Sequence, residues 1–195
     1  MSRPRSFNDQ RVRERVTDAF VAHGYTGTSL AMLTEASGLG KQSLYNAFGD
    51  KRALYLQSLD CVGSRMAGLR ESMSATPTGL QAVHVLFEHL LTACSDPDPA
   101  VHTCIVSAGL MEGLDVKPIA DHLRQKWHES QSLLQAAVER GQRDGSIMQQ
   151  RPAPQLAALL MTLMSGLRVT ARALEDPHQL KALAQLGLKF LEHAD

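Results

Sequence analysis

Apolar residues recur at spacings of three and four along nearly the whole chain, and the stripes stop at glycine, proline or short polar clusters. That period is helical. The first stripe runs through Val12, Val16, Ala19, Phe20 and His23, with Asn8 or Asp9 as its cap and Gly24 as its end. A second, with Leu30 and Leu33 inward, begins behind the capping hydroxyls of Thr28 and Ser29. It stops at Ser37-Gly38, where glycine takes the left-handed conformation without a Cβ clash. Leu39 plugs the turn. A third helix starts at Gly40 or Lys41 and buries Leu44 and Phe48; Gly49-Asp50 closes it and caps the next.

The pattern then predicts a helix from Asp50 to about Ser74, broken by Thr76-Pro77-Thr78-Gly79, and another with Leu80, Val83, Phe87, Leu90 and Leu91 inward. After the loop Ser95 to Pro99 come a short helix over Ala100 to Met111, ending near Gly113, and a long one over Ile119 to Arg143, with Gly145 past its end. Behind Pro152 and Pro154, Leu156, Leu159, Leu160, Leu163, Met164 and Leu167 make one stripe, while Ala157, Ala158, Thr162, Ser165 and Gly166 make a small opposite side. A helix apolar or small almost all round is expected to be covered on both sides. Pro177 opens a last helix with Leu180, Leu183, Leu186 and Phe190 inward. The fold class is all-α.

The second and third helices are only about eight residues long, a length marginal in water by itself. Joined by a glycine turn and packed on the first helix, they form a helix-turn-helix, in which each short helix stabilises the other. In that motif the first turn of the second helix enters the DNA major groove, and here that turn holds Lys41, Gln42 and Ser43. Free N–H groups at both helix N-termini, the first behind Thr28 and Ser29, favour phosphate oxygens. Gln42 and Asn46 carry amides that can pair bidentately with adenine, or they are simply solvated.

Charge refines this picture. The formal net charge is zero, which alone argues against a nucleic-acid partner, but residues 1–55 carry eight Lys or Arg against five acids, a net of +3 that leaves the remaining 140 residues at −3. The asymmetry suits an N-terminal module facing an anion, or is ordinary surface scatter. With 195 residues, 44% of them hydrophobic, the chain can bury a sizeable core. The most apolar window, Leu156 to Leu167, falls short of the roughly 18 residues of a membrane span. Residues 1–20 are arginine-rich without an apolar stretch, and three unevenly spaced cysteines make no disulfide framework. A soluble, cytoplasmic protein is expected, with no membrane partner.

At the helix-turn-helix the sequence resembles the TetR family of bacterial transcriptional repressors. The resemblance is carried by Thr28-Ser29, Leu30, Leu33, Gly38 and the run Leu44-Tyr45-Asn46-Ala47-Phe48-Gly49-Asp50-Lys51, close over about residues 10–58. Thr34 stands where the family usually has alanine, and Gly40 where it has a Ser or Thr cap. Farther on, CIVSAGLMEG (104–113) looks like a segment common in one branch of the family. The resemblance implies a DNA-binding domain at 1–50 and a helical ligand-binding and dimerisation domain at 51–195. It also implies a homodimer on a palindromic duplex operator, released by a small-molecule effector, with phosphate contacts from Tyr45 and Lys51. The dimer is expected to pair the 119–143 and 153–167 helices through Leu134, Val138, Ala158, Thr162 and Gly166.

Catalysis finds little support. His84 and His89 are five apart and His122 and His128 six apart, spacings that do not align two ligands on one helix face, and no HExxH, CxxC or phosphate-cradling glycine loop occurs. No cofactor and no metal are expected. His102 and Cys104, two apart, point away from each other on a helix, so Cys104 reads as a buried structural cysteine. A thiol, redox or metal sensor of helical build is the alternative, and a bare interaction bundle a third. Met66, Phe87, Cys104, Met111 and Trp127 are candidates to line an effector pocket, since methionine adapts to irregular shapes, although the same residues suit an ordinary core.

Overall fold

The computed structural model describes residues 8–96, 98, 103–174 and 176–192. Among them the regular structure is ten α-helices and one 3₁₀ turn. In chain order they are α1 (Asp9–Gly27), α2 (Leu30–Ser37), α3 (Lys41–Phe48), α4 (Lys51–Arg65), α5 (Ala67–Ser74), α6 (Gly79–Cys94), α7 (Ile105–Met111), α8 (Lys117–Asp144), α9 (Ala153–Ala173), α10 (Pro177–Leu188) and the turn Lys189–Leu191. The described residues fall into two compact units, each with its own core. One comprises those up to Arg65 with Thr103–Lys126, the other those from Met66 to Asp98 and from Trp127 onward.

The first unit is built on α1. Its N-terminus is capped by Asn8, whose Oδ1 accepts from the Arg11 amide at 3.1 Å, and Gly24, at φ 69°, interrupts it near its end. Val12, Val16 and Phe20 are buried as the spacing predicts, whereas His23, expected in the same stripe, is exposed. Phe20 meets Leu33 of α2, Leu44 of α3, Leu54 and Tyr55 of α4, and Ile119 and Leu123 of α8 in one core. Burying a side chain of this kind stabilises by about 1.5–3 kcal/mol, so two eight-residue helices persist on the core rather than on their own hydrogen bonds.

The helix predicted from Asp50 to Ser74 is two helices. It stops at Arg65 and restarts at Ala67, with Met66 at ψ −1° between them. Leu54, Tyr55, Ser58 and Leu59 on the first are buried in the first unit, while Met73 on the second belongs to the core of the second unit. Gly63 and Gly68 flank the break, and glycine lowers helix propensity by about 1 kcal/mol relative to alanine, which makes an interruption there cheap. The short helix predicted from Ala100 begins only at Ile105; Ala100 and His102 lie outside the described residues.

In the second unit α6 buries Ala82, Val83, Leu86, Phe87 and Leu90 among Leu134, Ala137 and Val138 of α8, Leu156 and Leu160 of α9, and Leu180 and Leu188 of α10. The start of α6 lies so close to α8 that a Cβ on Gly79 would fall on the backbone of Gly141 and Ala137. Arg140 ties the preceding turn: its guanidinium donates to the carbonyls of Met73 (3.0 Å), Ser74 (3.2 Å) and Thr78 (2.9 Å) and to the Thr76 hydroxyl.

The expected single stripe of α9 is in fact two. Ala153, Leu156, Ala157, Leu160, Met161 and Leu167 are buried, while Leu159, at 48% exposure, joins Ala158, Thr162, Gly166 and Val169 outside. Leu183 and Leu186 of α10, predicted inward, are exposed as well. By length and composition α9 is apolar enough to cross a membrane, a test that the core helix of a soluble protein also passes, and a third of its most apolar window is buried. Leu134 and Val138, expected at a dimer interface, are 1% and 0% exposed, enclosed by the protomer's own core and out of a partner's reach.

Candidate nucleic-acid interface

Two turns and two caps present α3. The α2 N-terminus is capped by Ser29, whose Oγ accepts from the Met32 amide at 3.2 Å. Gly38, at φ 70°, turns the chain, and the Ser37 hydroxyl accepts from the Leu39 amide at 3.2 Å inside that turn. α3 then starts at Lys41 behind Gly40, which offers no side-chain cap. Leu44 and Phe48 fasten it to the core, and Gln57 of α4 donates to the Phe48 carbonyl at 2.7 Å. Gly49, at φ 89°, makes the second turn, and Asp50 caps α4 by accepting from the Ala53 amide at 2.8 Å.

Fixed this way, α3 leaves Lys41, Gln42, Ser43 and Asn46 exposed. Ser29 is exposed too, at the neighbouring helix start. The arrangement offers amide, hydroxyl and ammonium groups beside two helix N-termini, a surface suited to base edges and phosphate oxygens. Tyr45 is half-buried, its ring against the first core. Thr28 is a correction. It is fully buried, and its hydroxyl donates to the Gly24 carbonyl at 2.6 Å, so it closes the end of α1 and its side chain is spent.

Lys51 is placed by a residue that sequence reasoning passed over. Its Nζ stands 4.7 Å from the centroid of the Tyr25 ring. Burial, and then Asp50 nearby, push the Tyr25 phenol above its ordinary value, so the ring stays neutral beneath the ammonium. Tyr25 meets the Tyr55 ring edge-on at 5.0 Å. Its backbone N–H, with that of Thr26, donates to the Glu112 carboxylate. No local pattern announces a contact between positions 87 apart.

The predicted pocket residues are divided between the two units. Phe87 lies inside the second core, and Met66 and Trp127 are half-buried against it. Cys104 and Met111 belong to the first unit, and Met111, 88% exposed, lines nothing. Cys104 is half-buried at the N-cap of α7 with a free thiol, rather than the buried structural cysteine expected; the buried one is Cys94. Among the described residues no three of His, Cys, Asp or Glu converge as a metal site. His122 Nε2 lies 3.0 Å from Asp60 Oδ1, which Lys126 Nζ also approaches at 2.9 Å; against a burial that raises it, these partners hold the Asp60 carboxyl below its usual range.

Known proteins share this architecture. Residues 17–57 match the family model for bacterial regulatory proteins of the tetR family, and residues 79–186 match that for the tetracyclin repressor-like C-terminal domain. The HTH-type transcriptional regulator YezE of Bacillus subtilis (strain 168) is 30% identical over 56% of this chain, which spans 57% of that protein. The HTH-type transcriptional repressor ComR of Escherichia coli (strain K12) is 25% identical over 96% of this chain and 90% of its own. Among solved structures, the regulator CifR, a cysteine mutant in complex with 26-bp double-strand operator DNA, superposes with a TM-score of 0.84 at 30% identity, covering 96% of this chain and 98% of that one.

Proposed function

This chain belongs to the TetR family of bacterial regulatory proteins, and from that premise we propose that it acts in the cytoplasm as a homodimer on a palindromic operator and is released by a small-molecule effector. It is a helix-turn-helix transcriptional repressor that binds operator DNA, and not an enzyme. The observation that carries the DNA-binding reading is the exposed first turn of α3 on a closed core: Lys41, Gln42 and Ser43 face outward while Leu44 and Phe48 fasten the helix.

In this reading Ser29, Tyr45 and Lys51 contact phosphate, and Gln42 and Asn46 read bases. Residues 1–50 form the DNA-binding module, and the rest of the chain the regulatory body. Tyr45→Phe and Lys51→Ala are expected to weaken binding to all sequences alike, whereas Gln42→Ala relaxes the preference at one or two base positions at a cost of about 1–3 kcal/mol. Selection of duplexes from a random pool with each variant checks this. An unchanged motif for Gln42→Ala removes Gln42 from the readers. Half-site centres are expected about one helical turn, ~34 Å, or a multiple apart, and affinity is expected to fall steeply with salt.

The pairing surface is supported by the outward stripe of α9. Leu159, Thr162, Gly166, Val169 and Ala173 follow one another at spacings of three and four, and all are exposed in the single chain, as are Leu183 and Leu186 of α10. Such a seam suits a second copy in a four-helix arrangement. For the effector, the methionines around the second core, Met66, Met73, Met161 and Met164, together with Phe87 and Trp127, favour a small apolar or aromatic molecule. The free, half-buried Cys104 thiol supports a second reading, in which thiol modification is the trigger. A Cys104→Ala variant that still binds operator but ignores electrophiles that release the wild type decides for the thiol.

A further inference from the structure

The segment CIVSAGLMEG holds a contact that operator binding as described so far does not use. Beyond Gly24 the regular hydrogen bonding of α1 is interrupted, and the amides of Tyr25 and Thr26 face Glu112, at the end of α7. Glu112 Oε1 accepts from Tyr25 N at 2.9 Å and Oε2 from Thr26 N at 2.8 Å, a bidentate, charge-assisted pair. Gly24 makes room for it: a Cβ there would sit on Glu112 Oε1. α7 also lies against Tyr55, the neighbour of that tyrosine. A Cβ on Gly109 would lie 2.5 Å from the Tyr55 hydroxyl, and Tyr55 packs edge-on against the Tyr25 ring at 5.0 Å. That hydroxyl is buried and has no hydrogen-bond partner among the described residues, so Tyr55 is held by packing alone. α7 thus holds the backbone of Tyr25 directly and reaches its ring through Tyr55, while Phe20 stacks on that ring at 6.5 Å and the Lys51 ammonium stands over it.

We propose that Glu112 is a positioning residue for operator binding, whose carboxylate clamps the Tyr25 and Thr26 amides and, through the Tyr25 ring, sets where Lys51 meets the DNA phosphate. α7 thereby gains a route to the DNA-binding helices that needs no rigid lever. The continuous helix from Asp50 to Ser74 that could have served as one is interrupted at Met66. The proposal rests on the reading of Lys51 as a phosphate contact.

Operator titrations across a range of salt test both. Lys51→Ala is expected to lose about tenfold in affinity and to lower the slope of log affinity against log salt by about 0.9 for each phosphate that the lysine neutralises. Glu112→Gln puts an NH2 against one of the two amides from which the carboxylate accepts, and is expected to show a similar loss with a similar drop in slope. The double variant is expected to bind like Lys51→Ala alone, because both changes act on the same phosphate interaction. Additive losses, or a weaker Glu112→Gln with the wild-type slope, mean a merely structural role and overturn the proposal. Wild-type binding by Glu112→Gln beside a weakened Lys51→Ala overturns it too. If Lys51→Ala itself binds like the wild type, the phosphate reading of Lys51 fails and the proposal with it, a result distinct from the others. Tyr25→Leu keeps the clamped amide but removes the ring; it is expected to match Lys51→Ala in loss and slope, and it tests the link if Glu112→Gln does not fold.

Discussion

Gly166→Arg is expected to give a folded monomer that binds its operator at least a hundredfold more weakly than the wild type. Within one chain the substitution is benign. Gly166 is exposed in the interior of α9, a Cβ built on it meets nothing within 4 Å, and replacing a mid-helix glycine is worth up to about 1 kcal/mol of helix propensity. In the proposed dimer the same position lies in the seam between Thr162 and Val169, where the absence of a side chain would let helices approach. An arginine there props them apart and leaves a charge without a partner in an apolar contact, at a cost of several kcal/mol. Each half-operator must then be bound separately, and the gain of roughly 10²–10⁴ from linking two sites disappears. Sedimentation together with a thermal melt checks the prediction; an intact dimer at micromolar concentration refutes this use of α9.

Gly79→Val is expected to do the opposite, damaging the fold before any interface. The Gly79 amide donates to Asp144 Oδ2 at 2.8 Å, and its Cα lies against the backbone of Ala137 and Gly141. Gly141 has no spare room either, since a Cβ there would press on Ile147, which is 2% exposed. Overpacking of side chains costs about 1–3 kcal/mol because rotamers can yield. Here the neighbours are main-chain atoms of a helix and cannot yield, so α6 must lift from α8 and loosen the packing of Val83 and Phe87 below it. A loss of ~3 kcal/mol or more is expected, which for a chain of this size lowers the melting temperature on the order of 10 °C. Melting within about 2 °C of the wild type would show that the helices separate easily at this point.

The two substitutions separate what a glycine says in sequence from what it does in the fold. Gly38 and Gly49 were legible, because each follows a short apolar stripe and adopts a positive φ to end a helix, a requirement confined to a few residues. Gly79, Gly141 and Gly166 lie in helices at ordinary φ, and nothing in their neighbours tells that the first two sit against another segment while the third faces outward. Ser29 and Asp50 were legible as caps for the same local reason. Thr28, one residue from Ser29 and equally able to cap, instead turns inward onto Gly24.

What the amino-acid order determined by itself is therefore the helical class, the caps and turns that bound α2 and α3, and the exposed first turn of α3, all products of interactions within about one helical turn. Tertiary structure decided which of two apolar stripes on α9 enters the core, since both have helical spacing and only the surfaces offered by α6, α8 and α10 choose between them. It sent Leu134 and Val138 inward, interrupted the predicted Asp50 to Ser74 helix at Met66, and brought Glu112 to the amide of Tyr25. A contact 87 positions apart leaves no trace in local periodicity, because it exists only after packing has closed the chain on itself.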